Sequence, residues 1–342
     1  MDRRSDRMVG MDAESFAILQ APSGKVLMGI GPFQELAECP HQGVAFYVNN
    51  FSLTEPRPWK VPSAVVEFDP AEMEGMESPV IEWEALEPDG FAQVFSEINE
   101  SIQKGVLEKS VPVATERGSL KGGTARGLLN GLVGSGDQFY PYAWVDGASG
   151  FCGQTPELLF HLRKGRLKTM ALAGTARAED RSVFAFDEKE IREHEYVAQT
   201  LVASLSDIGM VKRGERRMMD LGKLVHFHTP IEVFMYGDHA IDYLVRKMHP
   251  TPALGPHPRT PESLELLYEW RSRLGAPRGF GAPFGVYDHG EFHAVVAIRG
   301  IYWEGEQVAV PSGCGVIEAS RLTNEWRELA LKRSAVKACF GI

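Results

Sequence analysis

The sequence is poor in cysteine, and its cysteines are not arranged for metal binding. The 342 residues include only Cys39, Cys152, Cys314 and Cys339. No two of them form a Cys-x-x-Cys pair, and no group of histidines and cysteines has the spacing of a zinc site. We therefore expect four reduced thiols, as is usual for proteins of the cytosol.

Long apolar runs and an excess of basic residues are also missing. No uninterrupted apolar stretch approaches the roughly 18 residues that a membrane helix needs. The charged start of the chain, residues 1–16, lacks the apolar region of a secretory signal. The formal net charge of -10 disfavours nucleic acid as a partner, because phosphate binding needs a basic face. These absences predict a cytoplasmic protein that binds neither a membrane nor nucleic acid.

Short apolar strands and a few longer helices make up what is present. Residues 1–90 contain β-type runs broken by Gly, Pro and Asn, and residues 139–177 alternate β-type runs with glycine turns. Periodic apolar positions predict helices over 89–105, 187–208, 261–274 and about 322–339, the first three ended by Gly105, Gly209 and Gly275. Strands in hairpins with helices between them favour an α+β fold over a doubly wound sheet.

Two of these helices each carry a pair of glutamates three residues apart. Glu190 and Glu193 lie on one helix, and Glu325 and Glu328 lie on the last helix with Lys332 one turn further on. This spacing places both carboxylates of a pair on one helix face. A small number of hard oxygen ligands suits magnesium, which keeps waters and shares a substrate anion. Such pairs are also common on solvated helix faces, so spacing alone leaves both interpretations open.

Several short blocks, in this order, resemble the chorismate-utilising enzymes, the family of anthranilate, aminodeoxychorismate, isochorismate and salicylate synthases. The blocks are GQTPELLF (153–160), MALAGTAR (170–177), KEIREHEYV (189–197), MHPTPALG (248–255), GFGAPFGV (279–286), VAIRG (296–300), SGCGVI (312–317) and NEWRELALK (324–332). The resemblance implies one large α+β domain with two mostly antiparallel sheets packed together and covered by helices. Residues 1–90 would be a short β-rich portion of this fold, and residues 91–342 the chorismate-binding catalytic domain.

The resemblance also implies a magnesium ion and a set of residues around the substrate. Glu193 and Glu325 match glutamates that ligate the metal, and Glu190 and Glu328 match acids that hold its waters. The implied substrate contacts are Gly174, Thr175, His226, Ala253, Arg299, Gly313, Cys314, Gly315 and Lys332. For His226, a purely internal hydrogen-bonding role stays equally open.

Within the family, two markers favour isochorismate synthase. Lys109 matches a lysine that activates water as a general base, and Glu157 matches a glutamate that acts as the general acid. Residues 249–253, HPTPA, resemble the isochorismate synthase version of that block. Ala173 stands where aminodeoxychorismate synthase has a lysine nucleophile, so that route is closed. The resemblance thus implies magnesium-dependent conversion of chorismate to isochorismate, with water added at C2 and the C4 hydroxyl lost.

Other interpretations stay open beside this one. A salicylate synthase, an enzyme like anthranilate synthase component I and a non-catalytic chorismate-binding protein would share most of the blocks. The chain departs from the family pattern at Ala114, where an arginine is usual, at Cys314 in the glycine loop and at the inserted Pro283. We expect a monomer or a weak homodimer, whose product would feed menaquinone, siderophore or salicylate synthesis.

Overall fold

Antiparallel β-strands form most of the computed structural model, which describes residues 13–20, 25–68, 77–133, 136 and 138–342. The strands are β1 (Ser15–Gln20), β2 (Val26–Ile30), β3 (Gln34–Leu36), β4 (Val44–Val48), β5 (Trp59–Val61), β6 (Ala64–Phe68), β7 (Val80–Trp83), β8 (Lys109–Ser110), β9 (Val113–Gly122), β10 (Tyr140–Asp146), β11 (Ser149–Thr155), β12 (Leu158–Arg163), β13 (Arg166–Arg177), β14 (Gly209–Arg213), β15 (Arg217–Asp220), β16 (Leu224–Met235), β17 (Pro283–Asp288), β18 (Glu291–Val296), β19 (Gly300–Glu304), β20 (Gln307–Gly313) and β21 (Val316–Ile317).

These strands assemble into two large sheets and one short ladder. The first sheet has the order β6-β2-β1-β10-β11-β19-β20-β9-β7, and the second has the order β14-β16-β13-β12-β18-β17-β4-β5-β3, with β15 paired to β16. The short ladder joins β21 to β8. Strands from the first 90 residues therefore contribute to both large sheets.

The helices confirm the four that the apolar periodicity predicts and add two short ones. They are α1 (Asp89–Gln103), α2 (Arg181–Phe184), α3 (Glu188–Leu205), α4 (Ile241–Met248), α5 (Pro261–Arg273) and α6 (Leu322–Phe340). Helix α5 begins at a capping box, in which Thr260 and Ser263 each bond the other's backbone N–H. Within the described residues, no helix has both the length and the apolarity to cross a bilayer.

One predicted helix boundary is wrong. Helix α3 ends at Leu205, and Gly209, predicted to stop the helix, is instead the first residue of β14. A side chain at Gly209 would place its Cβ 2.5 Å from the carbonyl oxygen of Phe234 on the paired strand. The glycine therefore permits close approach of two backbones rather than ending the helix.

The core lies between the sheets and beneath the helices. Leu19 and Tyr142 of the first sheet are buried against Phe284 of the second, and each such side chain contributes about 1.5–3 kcal/mol on burial. Helices α3 and α4 cover the outer face of the second sheet, whereas α6 and the 3-10 helix Ala125–Leu132 cover the first. This arrangement confirms the predicted α+β fold of two packed antiparallel sheets covered by helices.

Two of the places where the chain crosses from one large sheet to the other are neighbours. Between β11 and β12 it crosses at Glu157, and between β18 and β19 it crosses at Arg299. The crossings lie side by side, because the N–H of Gln154 donates to the carbonyl of Arg299 at 3.2 Å and that of Val296 donates to the carbonyl of Glu157 at 3.0 Å. One end of the sandwich thus gathers two of the predicted site residues.

Candidate active site

A cavity opens at this end of the sandwich, between the two crossings and helices α3 and α6. Its empty volume is about 880 Å³, including the part open to solvent. The predicted site residues that line it are Glu157, Gly174, Thr175, Glu190, Glu193, His226, Ala253, Arg299, Gly313, Gly315, Glu325, Glu328 and Lys332. Residues far apart in sequence therefore meet around one space.

The two remaining predicted residues lie behind the cavity wall. Lys109 is only 3% exposed, and its Nζ is 3.6 Å from Glu193 Oε1, so its side chain adjoins the cavity. Cys314 is buried in an apolar cluster with Leu329, and its N–H faces the carbonyl of Pro112 at 3.4 Å. Burial raises the pKa of the Cys314 thiol far above its usual value. The structure thus brings Lys109 to the site but does not bring the Cys314 side chain there.

A single loop holds both proposed catalytic side chains. The hydroxyl of Thr251 donates to Glu157 Oε1 at 2.8 Å, and Lys109 Nζ donates to the carbonyl of Pro252 at 3.0 Å. The loop is itself fixed where His249 Nε2 donates to the carbonyl of Phe51 at 2.6 Å. The HPTPA block is a family marker in the sequence, but the contact of Thr251 with Glu157 was not predicted from it.

The environment of Glu157 favours its protonated form. Burial raises its pKa to about 7, against the opposing effects of the Thr251 hydrogen bond and the charge of Lys109. A carboxyl group with a pKa near neutrality can hold a proton in the resting site and donate it during a reaction.

The four glutamates of α3 and α6 face one another across the cavity. Burial, and then the charge of Glu328, raise the pKa of Glu325 to about 7. Burial and the charge of Glu193 also raise the pKa of Glu190. Carboxylates this crowded are stabilised by a cation placed between them.

A lysine that sequence reasoning missed already bridges the two helices. Lys189 Nζ lies 3.3 Å from Glu190 Oε1 and 4.0 Å from Glu325 Oε1. One positive group can therefore reach carboxylates of both helices, and carboxylate oxygens are the type of donor that magnesium prefers. Among the described residues, no three His, Cys, Asp or Glu side chains are close enough to hold an ion alone. Two carboxylates, waters and a substrate oxygen would have to share the coordination.

Strand β13 has a bulge at Gly174, where its register against β16 shifts, and His226 links this bulge to Arg299. Its Nδ1 donates to the carbonyl of Gly174 at 2.7 Å, and its Nε2 accepts from Arg299 Nη2 at 3.2 Å. Burial, reinforced by the charge of Arg299, lowers the pKa of His226 to about 3, so the ring stays neutral. Gly174 has φ of 75°, and its bulge leaves the Thr175 N–H free to donate to Glu190 Oε2 at 2.8 Å. Neutral His226 thus orients the Arg299 guanidinium, which keeps its charge.

The glycine loop, residues 312–315, contributes Ser312, Gly313 and Gly315 to the cavity lining. Lys332 Nζ donates to the carbonyl of Gly313 at 2.8 Å and lies 2.6 Å from Glu328 Oε1. At Gly315, a Cβ would lie 2.8 Å from Glu193 Oε1 and 3.1 Å from Lys109 Cε. A Cβ at this position would displace the ends of the Glu193 and Lys109 side chains, so glycine permits their close approach to the loop.

Comparison with known proteins adds an independent finding. A family model described as chorismate binding enzyme matches residues 61–341. The chain is 32% identical over 213 residues to the salicylate biosynthesis isochorismate synthase of Pseudomonas aeruginosa, covering 57% of this chain and 43% of that protein. It is 29% identical over 228 residues to isochorismate synthase MenF of Bacillus subtilis, covering 63% and 47%. The aligned parts span less than half of either relative.

The fold is also found in a solved structure. MenF, the menaquinone-specific isochorismate synthase from Escherichia coli, superposes with a TM-score of 0.82 at 16% identity, over 99% of this chain and 91% of that one. At this identity the superposition establishes a shared architecture of two sheets and outer helices.

Proposed function

Because the chain belongs to the family of chorismate binding enzymes, we propose that it is an isochorismate synthase, an isomerase that converts chorismate to isochorismate. One observation carries this choice. A buried lysine and a buried carboxyl group with a pKa near 7 are held by adjacent residues of one loop, at the edge of a cavity rich in carboxylates. Adding water at one carbon while a hydroxyl leaves another carbon needs one base and one acid, and this pair supplies them.

The chemistry assigned to the pair is balanced in atoms and protons. Lys109 Nζ accepts a proton from the water whose oxygen bonds to C2. The ring double bonds shift, the C4–O bond breaks, and Glu157 donates a proton so that the C4 hydroxyl leaves as water. One water enters and one leaves, so substrate and product are isomers. Ala173, which lines the cavity, offers no nucleophile for a covalent alternative.

The other cavity residues would bind and orient the substrate. Arg299, Lys332 and the N–H groups of the glycine loop suit the two carboxylates of chorismate. Glu193 and Glu325 would hold magnesium, with Glu190 and Glu328 on its waters. When bound, the ion supplies positive charge to a substrate carboxylate and relieves the repulsion among the glutamates. We place the reaction in the cytoplasm, where four unpaired cysteines persist.

Product analysis tests the proposal. Purified protein is incubated with chorismate and magnesium, and the products are separated by chromatography while pyruvate is assayed enzymatically. We expect isochorismate without stoichiometric pyruvate. Lys109→Ala protein, prepared identically, is the control for host enzyme carried through purification. Salicylate with equimolar pyruvate, or anthranilate when ammonium is supplied, would instead identify another branch of the family.

A further inference from the structure

An ion network that the chemistry above does not use lies behind the glycine loop. Arg333 of α6 is 5% exposed, and its Nη1 donates to Ser312 Oγ at 2.9 Å. Its Nε lies 3.4 Å from Oε2 of Glu116 on β9, and the other oxygen of Glu116 is bonded by Lys337. Neither Glu116 nor Arg333 lines the cavity, whereas Ser312 does.

Consecutive residues of α6 hold consecutive residues of the loop. Arg333 bonds the hydroxyl of Ser312, and Lys332 bonds the carbonyl of Gly313 at 2.8 Å. Two residues on, Gly315 packs so closely against the ends of the Glu193 and Lys109 side chains that a Cβ there would displace them. Close packing of this kind transmits small displacements, so a shift of the loop would disturb the proposed metal ligand and base together.

Aromatic rings and charge pairing fix the network in one arrangement. The Lys337 ammonium lies 3.8 Å from the centre of the Trp83 ring, and the Arg333 guanidinium lies 5.5 Å from that of Trp326. A counter-ion stabilises a buried guanidinium, and Glu116 provides the carboxylate for Arg333. Glu116 therefore helps to hold the guanidinium in this orientation.

We propose that Glu116 and Arg333 are positioning residues for the substrate-binding loop Ser312–Gly315, with Arg333 acting through the Ser312 hydroxyl and Glu116 orienting Arg333. This inference rests on the proposed function, because it assigns the loop a substrate carboxylate. It predicts an effect on substrate binding that is larger than the effect on the chemical step.

Four variants test the network. Ser312→Ala removes the acceptor, Arg333→Met removes the donor at similar volume, Arg333→Lys keeps the charge, and Glu116→Gln removes the counter-ion. The matched control is Glu82→Gln on the neighbouring strand, whose exposed carboxylate pairs with Lys121 at 3.1 Å. Each variant is assayed for kcat and KM, and backbone hydrogen exchange is followed over residues 313–316.

The expected result is a rise in KM for chorismate of about tenfold in Ser312→Ala, Arg333→Met and Glu116→Gln, with kcat within about twofold of the parent. Arg333→Lys should recover part of the loss. Ser312→Ala and Arg333→Met should be non-additive, because they break the same contact. Exchange over 313–316 should accelerate in the three variants and stay at the parental rate in Glu82→Gln.

Parental KM and parental exchange in Ser312→Ala and Glu116→Gln would overturn the inference. So would a fall in kcat and melting temperature at constant KM, which marks a purely structural role. If the parent protein itself does not turn over chorismate, the proposed function fails, while the exchange rates still decide whether the network holds the loop.

Discussion

At the scale of single residues, the carboxyl group of Glu157 sets the pH range of the proposed reaction. Its pKa is raised to about 7 by burial, and only the protonated form can donate to the leaving hydroxyl. We predict that kcat/KM falls about tenfold per pH unit above this pKa. The Glu157→Gln variant should lose about 10²–10⁴-fold in kcat, and its kcat/KM should no longer fall as the pH rises through this pKa. Initial rates across the pH range check both expectations. If kcat/KM of the variant still falls as in the parent, a group other than Glu157 causes the fall.

The same carboxyl group predicts a pH-dependent stability. The folded pKa of about 7 lies above the usual 4.5, so the folded state binds the proton more tightly. This proton contributes about 3 kcal/mol to the free energy of unfolding. The contribution is complete below pH 4.5 and is lost as the pH rises to about 7. Glu157→Gln should therefore be more stable than the parent above pH 7. Urea unfolding at several pH values measures this, and a constant difference between the two proteins would contradict it.

Thr251 offers a matched pair of variants at the same site. Its hydroxyl lowers the pKa of Glu157 by donating to Oε1 at 2.8 Å. Thr251→Val keeps the shape and removes the bond, so the basic limb of the pH profile should move to higher pH, and kcat should fall by about three- to tenfold. Thr251→Ser keeps a hydroxyl and should behave like the parent. Identical profiles for the valine and serine variants would show that the contact has no catalytic consequence.

At the scale of elements, helices α3 and α6 each present a pair of crowded carboxylates to the cavity. Magnesium should stabilise the parent by about 2.7 kcal/mol at a concentration one hundred times its dissociation constant. Glu325→Gln and Glu193→Gln should lose most of this gain and all turnover. Glu195→Gln is the control, since Glu195 lies on α3 but pairs with Arg213 at 2.7 Å. Calorimetric melting with and without magnesium makes the comparison, and an equal shift in all four proteins would exclude these helices as the metal site.

The helices were also the elements that the sequence predicted best. An amphipathic stripe, such as Phe91, Val94 and Ile98 of α1, is a local signal, and it is buried as expected. The predicted strands of residues 139–177 are antiparallel, but β10 and β11 join the first sheet, whereas β12 and β13 join the second. That division depends on pairing with strands far away in the chain, and periodicity carries no information about it.

At the scale of the whole molecule, the site depends on long-range contacts. Thr251 and Glu157 are 94 residues apart, and Lys109 and Pro252 are 143 apart. The spacing of glutamates predicted that each pair shares a helix face, but not that α3 and α6 face one cavity. That expectation came from the ordered family blocks. The blocks also predicted Cys314 as a site residue, although its side chain lies outside the cavity. A sequence block gives the position of a residue in the loop but not the direction of its side chain.

The central claim is that water enters at C2 while the C4 hydroxyl leaves, with Lys109 and Glu157 as base and acid. Turnover in oxygen-18-labelled water tests it most directly, with the product analysed by mass spectrometry and carbon NMR. The account predicts isochorismate that carries one heavy oxygen, located at C2, from the parent protein. It predicts no such product from Lys109→Ala protein that still folds and binds chorismate. Unlabelled isochorismate, or labelled product at the parental rate from Lys109→Ala, would contradict it.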